Sequence, residues 1–280
     1  MKRNEKIFAL ILSVMLLCGC ARGGANADSS TLTEESRSTN VAETTVKINN
    51  VLNESYSTEK IVWGPGRAEN HARPNDPVSL QEKYGELGAQ FLMSDDKFIC
   101  LTFDEGYENG FTPAILDTLK EKNVKAIFFV TYDFAKDNPK LIERMIDEGH
   151  IIGNHTYRHL TMDEITLEEA TEEVMFLDRY MKQNFKYRMK LFRFPKGEFS
   201  ESTLALVNEL GYKSIFWSFA YADWDTQKQA ESSAALKEIT DNLHNGEIML
   251  LHAVSSTNAE ILGDVIDSAR EQGYEFTTEV

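Results

Sequence analysis

From residue 98 to the C-terminus, short apolar runs alternate with stretches whose apolar positions recur at helical spacing. Residues 98–103, 126–131, 191–194, 215–219, 248–252 and 274–277 are predicted strands, and 150–153 is a shorter apolar run of the same kind. Between them, helices are predicted over 112–122, 139–148, 167–184, 201–210, 232–243 and 259–272. Pro113 is acceptable in a first turn, and Gly211, Asn245-Gly246 and Gly273 supply stop signals. Strand–helix alternation over about 180 residues implies parallel strands covered by helices. The natural closure is a barrel of TIM type, regular or irregular, in which active-site residues stand on loops at the C-terminal ends of the strands. No internal repeat or linker divides this stretch.

The N-terminus has a different pattern. Lys2, Arg3 and Lys6 precede an apolar run over 7–17, too short to span a bilayer but suited to a signal sequence. The run ends Leu17-Cys18-Gly19-Cys20, which resembles a bacterial lipobox. Residues 1–19 are therefore expected to be a lipoprotein-type signal peptide and Cys20 the lipidated residue, with ordinary signal-peptidase cleavage as the alternative. Residues 20–60 are rich in Ser, Thr, Asn and Glu and poor in aromatics. They read as a flexible tether, because they carry too little apolar surface to offset the entropy of ordering. The folded domain is expected over 61–280, with order beginning near Trp63.

Composition narrows the function. The 280 residues carry 29 Lys+Arg against 45 Asp+Glu, a formal net charge of −16, and removal of 1–19 makes the chain more acidic still. A nucleic-acid binder would show a clustered basic footprint, and no polybasic run offers itself to anionic lipid. Three cysteines cannot build a disulfide framework. Cys100, inside the apolar run Phe98-Ile99-Cys100-Leu101, reads as a small buried hydrophobe.

The polar residues that interrupt the apolar pattern cluster at predicted strand ends. They are Asp104-Glu105-Gly106 after the first strand, His155-Thr156-Tyr157-Arg158-His159 after residue 153, and Arg193-Phe194-Pro195-Lys196 near 191–194. Asp223-Trp224 follows 215–219, and His252 closes 248–252. His155 and His159 have the spacing of two metal ligands on one helical or turn face, and a carboxylate at Asp104 or Glu105 could complete an open three-ligand site. Adjacent residues in an extended segment point opposite ways, so Asp104 and Glu105 can do different jobs. His71, His150 and His244 read as structural; His244 lies near a helix C-terminus, where a cation is favourable. Trp217 reads as core, and Trp224 suits the edge of a sugar site.

These five segments resemble the motifs of the polysaccharide deacetylases of carbohydrate esterase family 4, the NodB-homology domain. The family's TFDDG is matched by Thr102 to Gly106 with Glu105 in place of the second Asp. H-[ST]-x-x-H is matched by His155 to His159, R-x-P by Arg193 to Pro195, the Asp-Trp pair by Asp223-Trp224, and L-x-H by Leu250 to His252. Within the family the likeness is closest to the delta-lactam-biosynthetic de-N-acetylases, which act on muramic acid. It rests on Tyr107 to Gly110, Phe192-Arg193 with Lys196-Gly197, Trp217-Ser218 and the run from His252 to Leu262.

The resemblance implies a distorted (β/α)7 TIM-like barrel and metal-dependent removal of the N-acetyl group from peptidoglycan amino sugars, N-acetylmuramic acid first. It makes Asp104 the catalytic base, oriented by Arg193, and His252 the general acid, oriented by Asp223. His155, His159 and Glu105 become the ligands of a divalent metal: Zn²⁺, with Co²⁺ or Mn²⁺ as alternatives. Glu105, one methylene longer than the family's Asp, would shift or weaken the metal. Leu250 would wall the acetyl-methyl pocket, and Trp224, Pro195 and Lys196 would meet substrate, Lys196 through the lactyl carboxylate. A backbone N–H after Gly106 would help hold the oxyanion. The partners implied are peptidoglycan glycan strands and, through the lipid anchor, the outer face of the bacterial membrane, with no nucleic acid and the chain a monomer. The rival readings are an N-acetylglucosamine deacetylase acting on peptidoglycan or chitin-like chains, an inactive wall-binding lipoprotein, and a glycosidase using Asp104 with another carboxylate.

Overall fold

Short strands that are apolar on both faces need cover on both faces, and here one parallel sheet with crossover helices provides it. The computed structural model describes Leu52 and residues 54–280. The expected signal peptide, Cys20 and most of the expected 20–60 tether lie outside the described residues. Strand β1 (Ile61–Val62) is followed by helix α1 (Asn75–Tyr84) and β2 (Ala89–Gln90). Then come β3 (Phe98–Glu105), α2 (Thr112–Glu121), β4 (Ile127–Val130), α3 (Tyr132–Asp137), α4 (Pro139–Asp147), β5 (Ile151–Asn154) and α5 (Leu167–Phe185). The chain continues through β6 (Leu191–Phe192), β7 (Glu198–Phe199), α6 (Glu201–Glu209), β8 (Lys213–Ile215), β9 (Phe219–Ala220), α7 (Ser232–Asp241), β10 (Glu247–His252), α8 (Ser256–Glu271) and β11 (Glu275–Phe276).

The main sheet runs β2-β8-β6-β5-β4-β3-β10-β9 with every pairing parallel, and β11 adds beside the start of β3. It curls into the half-barrel expected of a distorted (β/α)7 fold. A separate antiparallel pair, β1 with β7, ties the lead-in segment to the domain. The central strand is β3, buried from Ile99 to Glu105 and flanked by β4 and β10. Cys100 is fully buried there, and burial pushes its thiol up to about 12, so it behaves as a hydrophobe.

Helix starts follow local chemistry. Thr166 and Glu169 form a reciprocal capping box at α5, Ser200 and Thr203 do the same at α6, and the Ser255 hydroxyl accepts from Asn258 N–H at α8. Leu52 is buried, the carbonyl of Ser57 accepts from the Ser202 N–H, and Lys60 Nζ reaches Glu164 and Glu198 at 2.8 and 2.9 Å. Packed chain therefore begins before Trp63.

Several elements differ from the sequence expectation. The first strand continues two residues beyond its apolar run, because the ladder to β4 pairs Asp104 with Phe129 and Glu105 with Val130. The single strand expected over 215–219 is two: β8 joins β6 and β2, while β9 joins β10. The break falls where the Ile215 and Phe216 carbonyls accept from the Arg193 side chain instead of from a neighbouring strand. Helix α1 was not expected, since Pro74, Pro77 and its polar positions hide any apolar period.

Gly153 in β5 lets that strand close on β4, because a Cβ there would overlap the Phe129 ring. Gly153→Ala should therefore lower the unfolding free energy by about 1–3 kcal/mol, read as a lower urea midpoint. An unchanged midpoint would mean that the ring has room to move.

Candidate active site

The C-terminal ends of the parallel strands open onto a cavity of about 710 Å³. Asp104 reaches it from β3, His155 and His159 from the turn after β5, Lys196 from the turn after β6, and Leu250 and His252 from β10. Register explains the placement. In the parallel pair β3–β10, Thr102 stands beside Leu250 and Asp104 beside His252. Residues two apart share a face, so Leu250 and His252 face the same space as Asp104.

Asp104 is held by Arg193. The guanidinium is fully buried and donates from Nη1 to Asp104 Oδ1 and to Thr102 Oγ1, both at 2.8 Å. Its Nε reaches the Ile215 carbonyl at 3.0 Å and Nη2 the Phe216 carbonyl at 3.1 Å, and it lies 4.1 Å from the Phe129 ring centroid. Burial alone would raise the Asp104 pKa; the Arg193 cation, helped by His155 and His252, outweighs it and holds the carboxyl below the usual range.

His155 and His159 meet through their Nε2 atoms at 3.1 Å, and His155 Nε2 is 3.5 Å from Asp104 Oδ2. His155 Nδ1 bonds the Arg193 carbonyl at 2.9 Å, so Nδ1 carries the proton and Nε2 presents a lone pair. The turn holding the pair is bent, with Thr156 at φ 74° and His159 at φ 59°. Asn154 Oδ1 accepts from Thr156 N–H, and Thr156 Oγ1 accepts from His159 N–H. Buried Glu173 of α5 takes both Arg158 N–H and Nε–H at 2.7 Å. Burial pushes both imidazoles down, His159 to about 4, so both are neutral at pH 7, the form a metal needs.

Glu105 is not brought to these histidines. It faces the other side of β3, is fully buried, and receives the Thr112 hydroxyl at 3.3 Å on Oε1, while Oε2 has no partner among the described residues. Burial, reinforced by Glu108, raises its pKa well above the ordinary carboxylate value. The expected three-residue ligand set with Glu105 is therefore not assembled: the alternation that separates Glu105 from Asp104 also removes it from the cavity. Among the described residues no group of three or more His, Cys, Asp or Glu is placed to hold a metal ion. The two converging imidazole nitrogens leave a cradle that could take a divalent metal, one protein ligand short of the three usual at a catalytic zinc site.

On the facing side, Asp223 Oδ1 accepts from His252 Nδ1 and Oδ2 from the His252 backbone N–H, both at 2.7 Å. Burial works to lower the His252 pKa, but the Asp223 carboxylate outweighs it and the value is raised. Trp224 is 59% and Tyr107 54% exposed at the cavity mouth, where sugar could stack on them. Pro195 is buried and starts the turn that presents Lys196 at φ 58°. Trp217, expected as core, is buried and also lines the cavity. Sequence reading missed Arg67, Tyr107 and Tyr221 as lining residues. Tyr107 follows Gly106 directly and could have been found by position; Arg67, far away in the chain, had no local signal.

A sheet of this topology with these five strand-end segments defines a class. The chain belongs to the polysaccharide deacetylase family, carbohydrate esterase family 4. The family profile, polysaccharide deacetylase, matches residues 93–215. The peptidoglycan-N-acetylmuramic acid deacetylase PdaA of Bacillus subtilis is 41% identical over 228 residues, 80% of this chain and 86% of that protein. The solved Bacillus subtilis PdaA structure, a family 4 carbohydrate esterase, is similar with a TM-score of 0.76 at 40% identity, over 79% of this chain and 95% of that one. A peptidoglycan-N-acetylglucosamine deacetylase of Bacillus cereus is 30% identical over 207 residues, 72% of this chain and 73% of that protein. Deacetylases of the family are in general metal-dependent.

The buried histidines give stability opposite pH signs. His150, His159 and His244 are each pushed down to about 4 by burial, so His244 is not the cation expected at a helix end. Their contribution is present above the unfolded value near 6.5 and is lost as pH falls toward about 4. His252 has a raised pKa, so its contribution is present below about 6.5 and is lost as pH rises through the folded value. Across urea denaturation series from about pH 6 to 9, the stability advantage of wild type over His252→Gln should narrow as pH rises. An advantage independent of pH would remove this assignment.

Proposed function

We propose that this chain hydrolyses the N-acetyl group of peptidoglycan amino sugars, with N-acetylmuramic acid as the preferred sugar. The observation that carries the reading is the pairing of Asp104 and His252. They stand side by side on β3 and β10 in one cavity, with environments that move their pKa values apart, one below and one above the ordinary value. Oppositely tuned neighbours are how one site supplies a base and an acid at the same pH.

When bound at His155 and His159, a divalent metal such as zinc would polarise the acetyl carbonyl and make a bound water acidic. Asp104, kept ionised by Arg193, takes the proton of the attacking water. His252 is protonated on both nitrogens; Nδ1–H stays with Asp223, and Nε2–H goes to the departing amine. The backbone N–H of Tyr107 helps hold the oxyanion. Leu250 closes the space for the acetyl methyl, Trp224 flanks the sugar, and Lys196, set by Pro195, meets the lactyl carboxylate. Lys196 Nζ touches the Thr161 hydroxyl at 3.3 Å, and no carboxylate pairs with it among the described residues. The similarity to the Bacillus subtilis muramic acid deacetylase supports the sugar assignment, and the Bacillus cereus relative supports N-acetylglucosamine as the second reading. In this proposal residues 1–19 export the chain, Cys20 carries the lipid, and 20–60 spaces a monomeric domain (61–280) from the membrane toward the wall. Among the described residues no helix is long and apolar enough to cross a membrane.

Purified peptidoglycan should release acetate with the wild-type protein, and chelator should abolish the release until Zn²⁺, Co²⁺ or Mn²⁺ is restored. Asp104→Ala and His252→Ala should each lower the rate by about 10²–10⁴-fold. Mass analysis of the digested fragments should locate the lost acetyl on muramic acid; loss from glucosamine selects the second reading. Wall binding without acetate at any added metal would identify an inactive binder, and new reducing ends would identify a glycosidase.

Lys196→Ala should lower kcat/KM for muramic substrates by about tenfold, the scale of one charge-assisted contact, while leaving glucosamine substrates unchanged. Equal loss on both sugars would exclude the carboxylate contact.

A further inference from the structure

Asp223 has two carboxylate oxygens, and the imidazole of His252 uses only Oδ1. A carboxylate held through one oxygen can turn about its last bond and carry its partner with it. Here Oδ2 is held as well. It accepts from the His252 backbone N–H at 2.7 Å and from Asn258 Nδ2 at 2.6 Å. Asn258 lies in the first turn of α8 and is 1% exposed.

The hydrogen-bonding capacity of Asn258 is taken up in this one place. Nδ2 donates a second time, to the His252 carbonyl at 3.1 Å. Oδ1 accepts from the Tyr221 hydroxyl, and the backbone N–H goes to Ser255 Oγ at 3.1 Å. Two acceptors on one side and a hydroxyl on the other fix the orientation of the amide. Ser255 Oγ donates to Gln229 Oε1 at 2.5 Å, and Gln229 Nε2 donates to the Asp223 and Asp225 carbonyls at 2.9 Å. The loop carrying Asp223 is thus stitched to the start of α8, with Asn258 at the point where side chain meets side chain. Tyr221 buries its hydroxyl in this network while its ring lines the cavity. The charged groups that face His252 are Asp223, Asp104 and Arg193. None of them replaces the amide, since Asp104 and Arg193 are committed to each other.

We propose that Asn258, backed by Tyr221, is a positioning residue: it fixes both Asp223 and the backbone of His252, so that the imidazole keeps its proton on Nδ1 and turns Nε2 to the cavity. The proposal rests on the reading of His252 as the proton donor to the amine. A carboxylate left with one fixed oxygen would let the ring sample other orientations, and proton delivery would suffer while sugar binding would not.

Asn258→Leu keeps the volume and removes both donations, Asn258→Asp places an acceptor where a donor is required, and Tyr221→Phe removes one hydroxyl. Acetate release should show kcat lowered about 10–100-fold in the Asn258 variants and about 3–10-fold in Tyr221→Phe, with KM within about threefold of wild type. Nitrogen NMR of His252 should show the neutral ring protonated at Nδ1 in wild type and as a mixture of tautomers in the Asn258 variants. Should Asn258→Leu not fold, Asn258→Asp and Tyr221→Phe are read in the same way. Folded variants with wild-type kcat and an unchanged tautomer, or a change confined to KM, overturn the proposal. A His252→Ala control separates the two levels. Retained turnover there overturns the reading of His252 itself, whereas loss there beside normal Asn258 variants overturns only the role of Asn258.

Discussion

The site depends on one cation out of reach of water. The Arg193 guanidinium has no solvent exposure, and a buried charge is tolerated only when it is paired and its donors are met. Each of its nitrogens donates: to Asp104 and Thr102 on β3, to Ile215 at the end of β8, and to Phe216 beyond it. Its backbone joins in, with its N–H on the Asn154 carbonyl and its own carbonyl receiving His155 Nδ1. One residue thereby keeps Asp104 ionised, fixes the tautomer of His155, and draws two carbonyls away from the sheet so that the chain breaks between β8 and β9. The Asp104 carboxylate, the His155–His159 turn and the strand topology share this origin.

Against that buried cation the rest of the site is polarised in layers. Asp104 is pulled low by Arg193, and His252 is raised by an Asp223 whose other oxygen is already engaged. The two histidines between them are neutral. The protein as a whole is strongly acidic, with a net charge of −16, yet among the described residues the one carboxylate that lines the cavity is paired with Arg193 from behind, and Arg67, Lys196 and His252 share the lining with it.

The sequence carried much of this because charged residues and histidines interrupt the apolar pattern mainly at the strand ends. Asp104, His155, His159, Arg193, Asp223 and His252 could each be named before any coordinates. Thr102, Asn258 and Tyr221 could not: a Thr inside a strand, an Asn in a helix first turn and a Tyr in a loop have ordinary local explanations, and the contacts that matter lie far off in the chain, 91 and 147 residues from Thr102, 35 from Asn258 to Asp223 and 37 from Tyr221 to Asn258. Glu105 shows the opposite failure. Its side chain is a competent metal ligand and its position matches a family motif. The strand runs on through it, however, and a period of two places it behind the sheet. Local chemistry was legible; which face a polar residue takes at a strand end was not, because the ladder to β4, and not the apolar run, decides where the strand stops.

The six-residue parallel register between β3 and β10 has a further consequence. Asp104 and His252 are neighbours because two strands are aligned, about one strand spacing apart, and no loop has to close to bring them together. Their separation is a property of the hydrogen-bond ladder, which admits whole-residue steps only. Insertion or loss of one residue in either strand would not loosen the pair by degrees. In β3 it would rotate Asp104 out and Glu105 in, and in β10 it would exchange His252 for Leu251. Change in this protein can act gradually on its loops, but on these two strands it is all or nothing.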